Sequence, residues 1–167
     1  EYGVADQICF ELCPGLSFPH SDRHDVVVIA GMGGEMIASI LAQAPWTRRG
    51  TRLILQPNSK VDVLSAWLYE NEYDIQDTRL VRDGGKLYQV LLVSGGIAQI
   101  PATPGSLLVN PIYFRKKDPL LPEYLEDLIR RQERALTGLR LGKNTEGSVT
   151  EAEQLLNALQ NMRKEME

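Results

Sequence analysis

Two short stretches carry the residue types that could hold and orient a ligand. Gly31-Met32-Gly33-Gly34 follows the apolar run Val26 to Ala30, and Gln56-Pro57-Asn58 follows the next one, Leu53-Ile54-Leu55. A glycine-rich turn between a buried strand and a helix lets backbone N–H groups approach a ligand closely. A dinucleotide site would need G-x-G-x-x-G and an acidic residue at the end of the following strand. Here Met36 stands at the third glycine and that strand ends in Gln56, so nicotinamide chemistry is disfavoured. Walker-type phosphate binding needs Lys followed by Ser or Thr after the glycines, and neither is present. The plain alternative is a tight turn that uses glycine for geometry only. An amide side chain at a strand end can donate to and accept from a nucleobase edge, although Pro-Asn is also a common turn.

The elements that must position these residues follow from periodicity. Ile8 to Leu12 reads as a short strand, and His24 to Ala30 as a strand covered on both faces of a parallel sheet. The helix after Gly34 places Met36, Ile37, Ile40, Leu41 and Ala44 at helical spacing until Pro45 stops it. Arg52 to Gln56 is a second buried strand, halted by Pro57-Asn58. Val61, Leu64, Trp67 and Leu68 then mark a helix. Tyr73 to Leu80 and Lys86 to Ser94 form an antiparallel hairpin across Asp83-Gly84-Gly85. Two strand–helix units ending in a hairpin make the second half of a Rossmann-like sheet.

A Pro- and Gly-punctuated connector follows. Beyond it, Leu121, Tyr124, Leu125, Leu128, Ala135, Leu136 and Leu139 predict one amphipathic helix. Ala152, Leu155, Leu156, Leu159, Met162 and Met166 predict another, started by a capping box at Ser148 and Glu151. The expected division is 1–96 for the α/β domain, 97–118 for the connector and 119–167 for an antiparallel, coiled-coil-like helical hairpin.

The 167 residues, 43% hydrophobic and 24% charged, suit a soluble globular protein with a real core. No apolar run approaches the roughly 20 residues of a membrane span. With no signal segment and only two cysteines, a reducing cytoplasm is expected. The net charge of −4 argues mildly against a nucleic-acid partner, yet basic residues cluster at Arg48, Arg49 and Arg52, at Arg115, Lys116 and Lys117, and at Arg130, Arg131 and Arg134. Cys9, Cys13, His20 and His24 echo a zinc module, but the loop between the pairs is shorter than a finger needs and no metal is expected.

Ile29-Ala30-Gly31-Met32-Gly33-Gly34 together with Leu53-Ile54-Leu55-Gln56-Pro57-Asn58 resembles the bacterial tRNA adenine-22 N1-methyltransferase family. The similarity extends over Trp67-Leu68, Lys86-Leu87-Tyr88 and the helical hairpin. The resemblance implies an α/β, Rossmann-like class I methyltransferase sheet with strands three to seven present and the first two missing. It also implies a C-terminal helical hairpin, and S-adenosyl-L-methionine as cofactor. By the same resemblance Gly31, Met32, Gly33 and Gly34, with Gly15 and Leu16, would bind the cofactor. Gln56, Pro57 and Asn58 would form the catalytic rim, Tyr88 or Tyr113 would stack on an extruded base, and Arg130, Arg131 and Arg134 would grip tRNA. Cys13-Pro14-Gly15-Leu16 departs from the family's usual Gly, acid or amide, Gly-Leu at that point. Without the first two strands, the Val26–Ala30 edge should be open to self-association or filled by Ile8 to Leu12. A non-catalytic, methyltransferase-like interaction module is the alternative.

Overall fold

The computed structural model describes residues 3, 7–18, 24–97, 104–142 and 146–166. Four strands form one mixed sheet: β1 (Val26–Gly33), β2 (Arg52–Ser59), β3 (Tyr73–Asp83) and β4 (Lys86–Gly95). Their order is β1-β2-β4-β3, with β1 parallel to β2 and the other pairs antiparallel. Helices α1 (Gly34–Ala42) and α2 (Val61–Glu70) are the crossovers. This is the second half of the Rossmann-like plan that the alternating pattern implied. Pro57 and Asn58 do not halt β2 but lie within it, because Met32 and Gly33 of β1 keep pairing with Pro57 and Ser59 through two register shifts.

Alternation along the strands decides which face is covered. Val27, Ile29, Leu53, Leu55, Leu91, Val93, Tyr73 and Ile75 are buried and meet Ile37, Leu41, Leu64 and Leu68 of α1 and α2. Val26 and Val28 point the other way, and Val28 is 64% exposed. The expectation that β1 is covered on both faces is therefore corrected: among the described residues only one face carries helices. The apolar run reflects the strand's composition and β-propensity, which are blind to which neighbours arrive.

Ile8 to Leu12, expected as a third strand, is not one. Its residues have no sheet partner, and Phe10 and Leu12 are almost fully exposed. A strand exists only where another strand completes its ladder, and no described strand pairs with this segment. The sheet thus holds strands four to seven of the plan, and β1 is its edge.

The described part of the connector, residues 104–118, is structured. Within it α3 (Pro104–Leu108) and α4 (Ile112–Lys116) pack Val109, Ile112 and Tyr113 inward. The hairpin is α5 (Leu121–Leu141) and α6 (Glu146–Lys164). Contacts of Arg163 with Glu126, and of Gln132 with the Ala152 carbonyl, show that the two run antiparallel. Because α6 starts at Glu146, Ser148 sits inside the first turn instead of capping it. The base of the hairpin is docked on the domain, where Leu121, Tyr124, Leu125 and Leu159 join Leu80, Val109 and Tyr113 in a second core. Toward its tip the hairpin buries Leu136 and Ala152.

Candidate active site

The carboxyl ends of β1 and β2 lie side by side, as their parallel register requires. There the Gly31 N–H donates to Gln56 Oε1 at 2.9 Å, and Gln56 Nε2 donates to Asn58 Oδ1 at 3.1 Å. Asn58 Nδ2 closes the circuit by donating to the Gly31 carbonyl at 2.8 Å. Two side-chain amides thus clasp both polar groups of one glycine. Each amide nitrogen has two hydrogens, so one N–H on each remains for a ligand. Asn58 Oδ1 likewise keeps a second lone pair. Pro57, buried between them, holds the strand conformation that aims both side chains at β1.

The glycines have different duties. Gly31 has φ +80°, and a Cβ there would meet nothing within 4 Å. It combines a conformation that disfavours side chains with open space at the rim. Gly34 is the opposite case: a Cβ would lie 2.1 Å from the Lys60 carbonyl oxygen. Its absent side chain lets α1 approach the start of α2, which makes Gly34 a packing residue. Gly33 would place a Cβ 3.3 Å from Ser59 Oγ, and Met32 is 41% exposed on the rim. Gly15 and Leu16 are not joined to this ring by any contact among the described residues. Gly15 has φ +53° and abuts Ile40, while Leu16 packs on the core. Ile40 lies six residues into α1 from Gly34, a displacement of roughly 9 Å along the helix axis.

Next to the rim is a cleft of about 430 Å³, which runs from Pro57, Asn58 and Lys60 past Lys86 and Tyr88 to Leu128 and Arg131 of α5. Its floor contains a buried polar node that sequence patterning does not single out. Gln89 Nε2 donates to the Leu108 carbonyl at 2.8 Å and to the Tyr124 hydroxyl at 2.5 Å. The Tyr113 hydroxyl donates to Gln89 Oε1 at 3.0 Å. The available signal was a lone amide at an inward position of an apolar strand, Leu87-x-Gln89-x-Leu91-x-Val93. Burial raises the Tyr113 phenol and pushes Tyr124 up to about 12, so both remain neutral hydrogen-bonding groups.

Tyr113 is wholly buried in this node and cannot stack on an extruded base. Tyr88 is partly exposed on the cleft. The arginine trio divides: Arg131 lines the cleft, whereas Arg130 and Arg134 line a separate hollow with Glu133 and Thr137. Arg130 and Arg131 both face Asp127, which offsets part of their charge. Elsewhere Arg48 lies over the Tyr73 ring and Lys116 pairs with Asp77 at 2.7 Å, so the other basic clusters serve partly structural roles. Cys9 and Cys13 are free thiols, His24 packs edge-on against Phe18, and His20 lies outside the described residues. Among the described residues no group of three metal-ligating side chains converges, and no helix is long and apolar enough to cross a membrane.

The sequence matches the tRNA (adenine(22)-N(1))-methyltransferase family over residues 1–164. The Bacillus subtilis (strain 168) tRNA (adenine(22)-N(1))-methyltransferase is 30% identical over 136 residues, covering 78% of this chain and 57% of that protein. The chain therefore spans little more than half the length of that relative. A Streptococcus agalactiae protein of the NADB-Rossmann superfamily superposes with TM-score 0.82 at 26% identity, covering 96% of this chain and 70% of that one. Streptococcus pneumoniae Sp1610 in complex with S-adenosyl-L-methionine superposes with TM-score 0.75 at 26% identity, covering 92% and 67%. Matched by the family over residues 1–164 and by one of its members at 30% identity over 78% of its length, this chain belongs to the tRNA (adenine(22)-N(1))-methyltransferase family.

Proposed function

We propose that the protein at its natural length methylates N1 of an adenine in tRNA, adenine 22 by family, with S-adenosyl-L-methionine as donor. The observation that carries this reading is the closed ring of Gly31, Gln56 and Asn58 at two adjacent strand ends. The residues present fit such a cofactor, since Gly31 offers backbone in open space beside the exposed Met32. Gly31 to Gly34 would hold its near side, with Gly34 contributing through packing. Gly15 and Leu16 would act only through the loop they anchor on α1.

When bound, the cofactor supplies an electrophilic methyl group on a sulfonium. Adenine N1 has an in-plane lone pair, so attack needs no prior deprotonation and the protein's task is positioning. Asn58 Oδ1 would accept from the exocyclic amine through its second lone pair. Gln56 fixes which way that amide faces, and Pro57 fixes the backbone between them. Tyr88 would stack on the extruded base or its neighbour, as base-modifying enzymes require of a pocket. Arg131 would reach RNA across the cleft, with Arg130 and Arg134 on the adjoining surface of α5.

The test is methyl transfer from labelled S-adenosylmethionine to bulk tRNA by the protein at its natural length, with the product nucleosides identified by mass. We expect 1-methyladenosine, and a fall of roughly 100-fold in Asn58→Ala from lost orientation. Cofactor binding with no transfer to tRNA would discard the substrate. A fully active Asn58→Ala would remove the rim from the mechanism.

A further inference from the structure

The cleft beside the rim carries two lysines that the methyl-transfer reading does not use. Lys60, Lys86 and Arg131 line it, and Asp62 is its one lining carboxylate. Lys60 and Lys86 are exposed and have no ion-pair partner within 4 Å among the described residues, unlike Lys116 or Arg140. A long side chain left unpaired beside a cleft keeps its charge available to an incoming anion.

The placement is directional. Lys60 follows Asn58 by two residues and is held in the left-handed region at φ 56°, ψ 43°. Its carbonyl is fixed by the Gly34 approach and by accepting from the Leu64 N–H at 3.1 Å. Lys86 stands at the start of β4, beside the partly exposed Tyr88. Across the cleft Arg131 belongs to a docked helix whose position is locked by Tyr124 and Gln89. Cations and an aromatic residue lining one groove that begins at the base-orienting amide are the pattern of single-strand recognition. In that pattern phosphates track the charges while a base meets the ring.

We infer that this cleft is the path of the RNA strand flanking the target adenine, with Lys60 and Lys86 as backbone-phosphate contacts. The inference rests on the proposed tRNA substrate and adds residues and a direction to it. The strand enters at Asn58 and leaves toward α5. Contacts of this kind fix register and affinity, and they carry no base preference.

The experiment measures anisotropy of labelled tRNA with the protein at its natural length, across about 50 to 200 mM salt, alongside methyl transfer. Lys60→Gln and Lys86→Gln should each weaken binding and lower the slope of log affinity against log salt by about 1. Affinity for S-adenosylmethionine should be unchanged. Lys117→Gln, which replaces a lysine outside the cleft, should leave the slope as it is. Lys86→Gln also guards against a local backbone effect at Lys60. If wild type methylates tRNA while both cleft variants keep its slope and affinity, the path is wrong and the substrate stands. An equal loss in Lys117→Gln would mean a diffuse field and would also overturn the path. Wild type that neither binds nor methylates tRNA would remove both readings.

Discussion

Replacing Gln89 with Met tests whether the hairpin is locked to the methyltransferase sheet by a buried polar node. Met approximates the shape of Gln, so packing changes little, while three hydrogen bonds disappear together. The Leu108 carbonyl and the Tyr124 hydroxyl lose their donor, and the Tyr113 hydroxyl loses its acceptor. Gln89 is 3% exposed and Tyr113 fully buried, so water cannot simply take over. Each buried group left unsatisfied costs about 1–3 kcal/mol. Some repair between the two phenols is expected, which puts the total near 3–5 kcal/mol. That is a large share of an ordinary domain's stability. Urea unfolding followed by far-UV and near-UV circular dichroism should show the loss, and the near-UV signal of the tyrosines should change before helix content does. Tyr124→Phe combined with Gln89→Met should cost about 1–2 kcal/mol less than the sum of the single variants, because both break one bond. A Gln89→Met protein within about 0.5 kcal/mol of wild type would refute the locking argument.

Three further outcomes follow from particular contacts. Gly34→Ala should destabilise by about 1–3 kcal/mol in urea unfolding, although alanine is normally the better helix former, since its Cβ meets the Lys60 carbonyl; a gain in stability would show that α1 can move away freely. Tyr124 titrates near 10 when unfolded and at about 12 when folded, so the folded state retains its proton longer. The part of stability carried by Tyr124 should be intact below pH 10 and fall by up to about 2.7 kcal/mol as pH rises from 10 to 12, on top of the loss from the likewise raised Tyr113, and Tyr124→Phe should remove only the Tyr124 share. Light scattering should show concentration-dependent association of the chain, relieved by Val28→Lys at the open β1 edge; a monomer at high concentration would end the edge-pairing idea.

Much of this protein is legible in its sequence because the signals are local. Short apolar runs bounded by turn residues gave the strands, helical stripes gave α1, α2, α5 and α6, and Asp83-Gly84-Gly85 gave the β3–β4 turn. The glycine and amide motifs stand at strand ends because those residues set local backbone geometry. What the sequence could not decide is whatever depends on which surfaces arrive together. Ile8 to Leu12 has strand composition but no strand beside it, and Val26 to Ala30 reads as doubly covered yet has one bare face among the described residues. Gly31 and Gly34 look equivalent in sequence; only the approach of Lys60 makes one a packing residue and leaves the other open. Gln89 is a single amide in an apolar strand until Tyr113 and Tyr124 converge on it from α4 and α5. Local propensity is a property of a residue and its neighbours in the chain. Burial, hydrogen-bond satisfaction and field are properties of the neighbours in space, and those the tertiary structure alone assigns.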